Sequence, residues 1–340
     1  MLDRILTALG ILLYRLGLAG ILIRLHRHAP KVLMYHAFEE VESDFTRGLE
    51  INTTPREFAA HLEFLRARYN VVPLEELLEG TSRGPAVAIT IDDGFRSIFT
   101  GCWPLLQEFG IPATCYLTAE VLSGARLIWV NELAWFLRRS EEQARPIVAK
   151  QWGLAPSLSV ERILQTFIEH YDPAAIESLL VELRQAVGID PARDDPEGRI
   201  LHLSWDEVAI MAAGGISFGN HTATHPPLAK LPDSACRDEI TRGAAALAGL
   251  PGAIPSLAYP FGSRTEQTRR IALECGMTSL LEVEGVNHPW DPTRIGRIKV
   301  ESFGPDVLFA RMEVVEPVKA WLQRLLNGGR PRMMPVHRGH

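Results

Sequence analysis

Positive charge is scarce in this sequence, because 35 Lys and Arg residues stand against 41 Asp and Glu residues and leave a net charge of −6. This balance excludes an electrostatic case for nucleic acid as the main partner. Cysteine is scarce as well: the four cysteines are scattered and form no Cys-x-x-Cys pair. Their pattern indicates reduced structural thiols in a cytosolic protein and leaves a disulfide open.

A composition typical of disorder is also lacking. Hydrophobic residues make up 46% of the chain and charged residues 22%, which is ordinary for a globular protein. The length of 340 residues is long for one domain and fits a barrel-like α/β architecture.

The N-terminal segment is almost entirely apolar over residues 5–23, apart from Thr7 and Arg15. No small-residue cleavage site follows it, and Arg15 interrupts the apolar run, which argues against a signal peptide. A central arginine would also cost a membrane-spanning helix about 2.5–3.5 kcal/mol. We therefore predict an N-terminal apolar helix over residues 1–28. It either lies on a membrane surface or packs against the protein's own body. The predicted location is the cytoplasm, with peripheral contact to the cytoplasmic face of the membrane in the first case.

Strand-like and helix-like segments alternate along residues 29–326, which predicts parallel βαβ units in an α/β fold. The strand-like segments are KVLMYH (31–36), AVAITI (86–91), PATCYLT (112–118), GISFGNH (215–221), SLAYPFG (256–262), MTSLLEV (277–283) and RIKVES (297–302). Helical periodicity over residues 127–200 breaks this rhythm and predicts a helical insertion. Residues 327–340 are predicted to be a mobile tail.

Two adjacent carboxylates end the apolar segment AVAITI. Such a run without polar alternation is typical of a strand that is buried on both faces. Asp92 and Asp93 would then lie where the strand leaves the sheet, and Gly94 permits a sharp turn there. Because neighbouring carboxylates repel each other, the pair indicates a positive charge nearby.

Two histidines follow a later strand-like segment. His221 and His225 are four residues apart, a spacing at which both can bind one metal ion. Ligands converge at the carboxyl ends of strands in barrel-like α/β folds. We therefore expect the aspartate pair and the histidine pair to meet around a single ion.

Three ordered segments resemble the motifs of polysaccharide deacetylases, the carbohydrate esterase family 4 with a NodB homology domain. TIDDG (90–94) is similar to T-F-D-D-G, HTATH (221–225) to H-[ST]-x-x-[HD], and AYPFG (258–262) to R-x-P-[YF]. VLMYH and LSWDEVAIMAAGGISFGNHTATHP are similar to the bacterial exopolysaccharide deacetylase branch. The resemblance covers roughly residues 31–125 and 200–303. It implies a distorted (β/α)7-type barrel.

The resemblance assigns roles to the matching residues. Asp93, His221 and His225 would hold one divalent metal ion, usually Zn²⁺, with Co²⁺, Ni²⁺ or Mn²⁺ as alternatives. Asp92 would be the general base. Two histidines and one carboxylate leave positions open for water and substrate, as in catalytic zinc sites. Thr222 would contact substrate or make a turn hydrogen bond.

In the third motif, Pro260 and Phe261 match the family. The Phe261 backbone N–H is the implied oxyanion donor. Alternatively, Tyr259, Pro260 and Phe261 only form a wall of the cleft. The arginine that orients the base in this family is replaced by Ala258. Arg297 either supplies that charge from another strand or is a surface residue.

The usual late histidine that acts as general acid has no match within RIKVES or directly after it. His36 at the end of the first strand-like segment is the preferred replacement, and His288 is the second candidate. A weak acid is the third option, which would mean slow turnover.

The predicted function is metal-dependent removal of an N-acetyl group from hexosamine units of a polysaccharide or a lipid-linked glycan precursor. The alternatives are a weakly active or non-catalytic glycan-binding module and a deformylase-type amide hydrolase on a lipid-linked sugar. A non-haem iron oxygenase also uses two histidines and one carboxylate. The second aspartate and the α/β context argue against it.

Overall fold

The computed structural model describes residues 1–155, 157–198, 200–283, 287 and 290–326. His288 and the predicted tail over 327–340 lie outside this range. All strand pairs in the sheet are parallel. The strands are β1 (Lys31–Tyr35), β2 (Asn70–Val71), β3 (Ala86–Ile91), β4 (Thr114–Leu117), β5 (Ser217–Asn220), β6 (Ala253–Ala258), β7 (Ser279–Leu281) and β8 (Ile298–Lys299).

The strand order is β7-β6-β5-β4-β3-β1-β8, and the short β2 pairs with β3. Helices cover the outside of this curved sheet. They are α1 (Leu2–Arg15), α2 (Ala19–Leu25), α3 (Pro55–Arg68), α4 (Leu74–Leu78), α5 (Trp103–Phe109), α6 (Trp129–Arg139), α7 (Glu141–Trp152), α8 (Val160–Glu169), α9 (Pro173–Val187), α10 (Pro191–Asp194), α11 (Trp205–Ala213), α12 (Asp233–Ala246), α13 (Glu266–Glu274), α14 (Pro305–Ala310) and α15 (Glu316–Leu326). The predicted α/β fold, a distorted barrel of parallel strands, is confirmed.

Local chemistry explains where these elements begin and leave the sheet. Thr54 caps α3 through a capping box with Glu57, and Pro55 occupies the first helical turn. Every residue of β3 is buried, as its unbroken apolar run predicts. Because β1 and β3 pair in parallel and Tyr35 lies opposite Ile91, their carboxyl ends lie at the same level.

The helices α6 to α10 fall within the predicted insertion, between β4 and β5. Residues 1–28 form two helices instead of the single one predicted, and their axes differ by 114°. Gly17 takes a left-handed φ of 75° between them, which ends α1. In the described part of the chain, no single helix is long and apolar enough to cross a membrane. The bent pair of α1 and α2 passes that test by length and composition.

The buried face of α1 packs against the C-terminal part of the fold. At Gly10, a Cβ atom would lie 2.4 Å from the Cβ of Ala310, so only glycine permits this approach. Leu6 packs with Val314 and Val315. α1 therefore packs against the protein's own body on one face, which was one of the two alternatives.

Candidate metal centre

Three potential metal ligands meet at the carboxyl ends of two strands. Asp93 follows β3, whereas His221 and His225 follow β5. The Nε2 atoms of the two histidines lie 3.2 and 3.1 Å from Asp93 Oδ1 and 3.2 Å from each other. All three side chains are buried. Within the described residues, they form the cluster that could hold a metal ion.

The size of this triangle fits one divalent ion. Ligand atoms at 2.0–2.2 Å from zinc lie roughly 2.9 Å apart at right angles and roughly 3.4 Å apart at tetrahedral angles. The observed separations of 3.1–3.2 Å fall between these limits. Nδ1 of His221 donates a hydrogen bond to the Ala258 carbonyl at 2.8 Å. This bond fixes the ring with Nε2 towards the other two ligands, where a bound ion would take the place of the proton that Nε2 shares with Asp93.

The Asp93 carboxylate stays ionised although it is buried. Burial by itself would raise its pKa, but the charge of His225 and hydrogen bonds from both histidines hold the pKa well below its usual range. The backbone at Asp93 has a φ of 73° and that at His225 a φ of 66°. Left-handed backbone at a non-glycine residue is strained and is often found at functional sites.

Asp92 is paired with Arg297 in a buried, two-pronged ion pair. Both terminal guanidinium nitrogens of Arg297 donate to the two carboxylate oxygens of Asp92, each at 2.7 Å. Arg297 is 1% exposed, and its Nε donates to the Glu282 carbonyl at 3.0 Å. Burial would raise the pKa of Asp92, but the charges of Arg297 and His221 lower it. The structure thus brings Arg297 to the aspartate pair, and it excludes the alternative of a surface arginine.

His36 lies beside this pair at the carboxyl end of β1. The backbone N–H of Asp92 donates to the Tyr35 carbonyl at 2.9 Å, so His36 and Asp92 are level. The residue is half-buried, and its Nδ1 is buried without a hydrogen-bond partner among the described residues. Burial lowers the pKa of His36, while the charges of Asp93 and Asp92 oppose that shift. His36 therefore faces both carboxylates as a largely neutral imidazole near pH 7.

A buried network holds the loop between the two histidines. The Thr222 hydroxyl accepts a hydrogen bond from the His225 backbone N–H at 3.0 Å, and Asn220 Oδ1 accepts one from the Thr222 N–H at 2.8 Å. Glu239 of α12 accepts from the backbone N–H groups of Ala223 and Thr224 at 3.1 and 2.9 Å. The hydroxyl of Thr222 thus makes the turn hydrogen bond, and with no exposed surface it lies behind the ligands.

The third motif lies next to His225. Phe261, in the turn Pro260–Gly262, has a φ of 55°, and its ring packs edge-on against the His225 ring at 4.6 Å between centroids. Pro260 is buried. The Tyr259 side chain, 1% exposed, packs in a core cluster with Leu228 and Ile240. Tyr259 therefore supports the site from behind and does not line it.

The insertion also reaches the metal centre. Trp129, the first residue of α6, donates its indole N–H to the His225 carbonyl at 3.2 Å. The Trp129 ring lies 5.9 Å from the ring of Phe261 and 5.5 Å from that of Tyr171. Tyr171 and Phe261 are both partly exposed. They form an aromatic wall beside the ligands.

Sequence reasoning missed several residues that lie at or behind this site. Glu239 and Trp129 are separated from the motifs along the chain, and no local pattern marks them. His202, directly after the insertion, is buried and stacks on Phe95 with 5.3 Å between centroids. Burial lowers its pKa to about 4, so it is neutral at pH 7. The only sequence signal for His202 was its position directly before Leu203, Ser204 and Trp205, within the stretch that resembles the family.

Comparison with models of known protein families identifies the family of this chain. The sequence model described as polysaccharide deacetylase matches residues 79–280, more than half of the chain. The chain belongs to the polysaccharide deacetylase family. The resemblance drawn from the three motifs is therefore confirmed. A search of curated proteins found no match to this sequence.

Solved structures share the fold at low sequence identity. The Streptococcus pyogenes deacetylase PplD, in complex with acetate, is 17% identical with a TM-score of 0.56, and the match covers 84% of this chain and 99% of that one. IcaB from Ammonifex degensii is 21% identical with a TM-score of 0.52, covering 83% and 97%. The polysaccharide deacetylase BA0330 from Bacillus anthracis is 15% identical with a TM-score of 0.55, covering 85% and 69%. These likenesses support the fold of the chain.

Proposed function

We propose that this chain is a divalent-metal-dependent deacetylase that hydrolyses the N-acetyl group of hexosamine units in a polysaccharide or a lipid-linked glycan. One observation carries the proposal. The three-ligand face of Asp93, His221 and His225 lies directly beside a carboxylate, Asp92, that a buried arginine keeps ionised. Family membership supports hydrolytic deacetylation.

Each side chain of the site has a separate role in the proposed amide hydrolysis. A divalent ion, preferably zinc, would be held by the three ligands and would lower the pKa of a water molecule and polarise the acyl carbonyl. Asp92 accepts the proton as the water oxygen bonds to the carbonyl carbon. Arg297 fixes both oxygens of that base. The backbone N–H of Phe261 stabilises the developing oxyanion. As the C–N bond breaks, the proton that Asp92 accepted passes to the leaving amine, and His36, a neutral imidazole that faces both carboxylates, relays it.

The lipid-linked form of the substrate and a cytoplasmic location belong to the same proposal. They are supported by the exposed apolar side chains of residues 1–28, which would hold the chain at a membrane surface where such precursors lie.

The test is acetate release from N-acetylglucosamine oligomers. We expect activity in the metal-loaded protein, loss on chelation and recovery with Zn²⁺. Asp92→Asn should lower kcat by about 10²–10⁴-fold, the range typical of a lost general base. Circular dichroism and the melting temperature of the variant control for folding. Activity that survives both chelation and Asp92→Asn would overturn the mechanism.

Two further measurements separate the alternatives. Binding of the oligomers without acetate release by the metal-loaded protein would favour a non-catalytic module. Formate release from an N-formyl substrate, with no acetate release from the N-acetyl one, would favour the deformylase-type alternative.

A further inference from the structure

Exposed apolar side chains are concentrated at the two ends of the described chain. Seventeen large hydrophobic residues of the described part are exposed, and twelve of them lie in residues 1–25 and 316–326. Single exposed apolar residues are normal on a protein surface, but a concentration of this kind marks an interaction site. The twelve are Met1, Leu2, Ile5, Leu9, Leu12, Leu16, Leu18, Ile21, Leu25, Trp321, Leu325 and Leu326. We call them the terminal apolar surface.

The two terminal segments lie side by side. Lys319 of α15 forms an ion pair with Asp3 of α1 at 2.8 Å. Val318 packs against the small core that Leu6 forms with Val314 and Val315. The inner faces of α1 and α15 are thus used inside the fold. Their outer faces, which include Leu9, Leu12 and Trp321, remain exposed.

The apolar residues of α1 form one stripe. Leu2, Ile5, Leu9, Leu12 and Leu16 recur at alternating steps of three and four residues, which places them on one face of a helix. The stripe lies on the side of α1 that does not contact the protein. It is therefore available to a partner.

Basic residues border this surface. Arg4 and Arg15 lie along one edge of the stripe, because eleven residues correspond to about three helical turns; Arg15 is already paired with Asp306 at 3.1 Å. Arg24 and Arg27 are exposed on and after α2. In sequence, residues 316–340 contain five basic residues and one acidic residue, Glu316, although the whole chain has a net charge of −6. Positive charge is therefore concentrated at the apolar termini.

The combination of apolar and basic side chains distinguishes between two partners for the terminal apolar surface. A second copy of the chain could pair through the stripe, since steps of three and four are also the spacing of a coiled coil. Such pairing would bring arginines of the two copies together, and like charges repel. A bilayer with anionic headgroups accepts apolar side chains and pairs with the arginines, and tryptophan is enriched at membrane interfaces.

We propose that α1, α2 and α15 together form a docking surface for an anionic lipid bilayer. This proposal extends the membrane contact of residues 1–28 to the C-terminal helix, and it does not depend on the catalytic part of the proposed function. The exposed leucines and Trp321 lie among the headgroups and upper acyl chains, while Arg4, Arg24 and Arg27 contact lipid phosphates.

The test is flotation of the full chain with vesicles of phosphatidylcholine and with vesicles that also contain phosphatidylglycerol. We expect binding to the anionic vesicles that weakens as salt is raised, because salt screens the arginines. The double variant Leu9→Glu/Leu12→Glu and the double variant Trp321→Ser/Leu325→Ser should each weaken binding about tenfold or more, since burial of apolar side chains supplies the affinity.

Ile210→Glu is the matched control, because Ile210 is 50% exposed on α11, outside the terminal segments. It should leave vesicle binding unchanged. Acetate release from a soluble oligomer should stay unchanged in all three variants, which separates this test from that of the catalytic site. Three outcomes would overturn the proposal: no vesicle binding by the unaltered chain, binding that the Trp321 variant leaves intact, or a solution dimer that Leu9→Glu/Leu12→Glu dissociates.

Discussion

At the level of single residues, the arrangement of Asp92 and Arg297 explains how two adjacent buried carboxylates coexist. Asp93 faces the two histidines, whereas Asp92 faces a guanidinium that is itself almost fully buried. Removing one member of a buried ion pair leaves an uncompensated charge and is strongly destabilising. The ion pair between Asp92 and Arg297 therefore stabilises the fold as well as keeping Asp92 charged.

The geometry of this pair predicts the effect of Arg297→Lys. Lysine keeps the charge but cannot make two parallel hydrogen bonds to one carboxylate. We expect kcat to fall about 10–100-fold because Asp92 is no longer held in one orientation. KM should change little, since Arg297 has no exposed surface that could contact substrate. Steady-state kinetics measure both values, and an unchanged kcat in a folded variant would contradict the assigned role.

Glu239 gives a second prediction at this level, because it holds the loop between the two histidines. Glu239→Gln would leave one oxygen for the Ala223 and Thr224 N–H groups and put an NH₂ group where the other oxygen now accepts from Arg242 and the Thr224 hydroxyl, so the loop is held less firmly. Zinc affinity should fall about 10–100-fold, the usual cost of losing a group that orients metal ligands. Titration of the metal-free protein with zinc measures this directly. Asp238→Asn, an exposed neighbour on α12, is the control and should bind zinc normally.

The residues of the site were not equally predictable. The three clustered side chains of Asp93, His221 and His225 could be named from DDG and H-x3-H, because these patterns place them at strand ends. Arg297 could be named only because Ala258 leaves a charge missing. Glu239 and Trp129 could not be found, since their contacts with the histidine loop are set by how α12 and α6 pack and not by sequence spacing.

At the level of elements, the insertion adds aromatic surface to the metal centre. Trp129 connects α6 to the His225 carbonyl, and Tyr171 extends the wall that begins at Phe261. Partly exposed aromatic rings offer flat apolar faces to a ligand. This gives a physical role to helices that the sequence predicts only as an interruption.

We expect Tyr171→Ala to raise KM for oligomeric substrate about 3–10-fold with little change in kcat, because the ring lies in the wall and not among the reacting groups. Tyr171→Phe keeps the ring and should retain the normal KM. Comparison of the three proteins on one chitooligosaccharide series gives the result. A fall in kcat alone would show that Tyr171 acts on the chemistry instead.

At the level of the whole molecule, the α/β barrel was predictable from the sequence, but the arrangement of the N-terminal helices was not. Unbroken apolar runs identify the buried parallel strands, and their alternation with helices gives the barrel. The prediction of a single N-terminal helix was wrong. The apolar run continues across Gly17, but this residue has left-handed backbone and turns the chain there. Packing of α1 against Ala310, Val314 and Val315 is a tertiary contact without a local signal.

A buried carboxylate joins both ends of the chain to the barrel. Glu313 accepts hydrogen bonds from Tyr69 and from Nδ1 of His26, each at 2.7 Å, and forms an ion pair with Lys31 at 3.0 Å. Burial would raise the pKa of Glu313, but the hydrogen bond from His26 and the charge of Lys31 lower it below its ordinary value of 4.5. A lowered pKa stabilises the fold above the ordinary value, and this contribution is lost as the pH falls.

Glu313→Gln should therefore lower the free energy of unfolding by about 3 kcal/mol at neutral pH, because Lys31 is left buried without a counter-charge. The difference from the unaltered protein should narrow as the pH is lowered below 4.5. Urea denaturation over this pH range measures it. Glu142→Gln, which alters an exposed carboxylate on α7, should have little effect at any pH. A difference that stays constant with pH would contradict the assigned ion pair.

The position of Arg297 in the chain has a consequence for synthesis on the ribosome. All three potential metal ligands are part of the polypeptide once His225 is made, but the guanidinium that keeps Asp92 charged is added only just before the last described strand, β8. A chain that ends before residue 297 would lack this counter-ion, and burial of Asp92 without it would favour the protonated form. We therefore expect an unfinished polypeptide to contain the three-ligand cluster before it contains the counter-ion of Asp92, so that the base proposed above becomes competent only after residue 297 has been added.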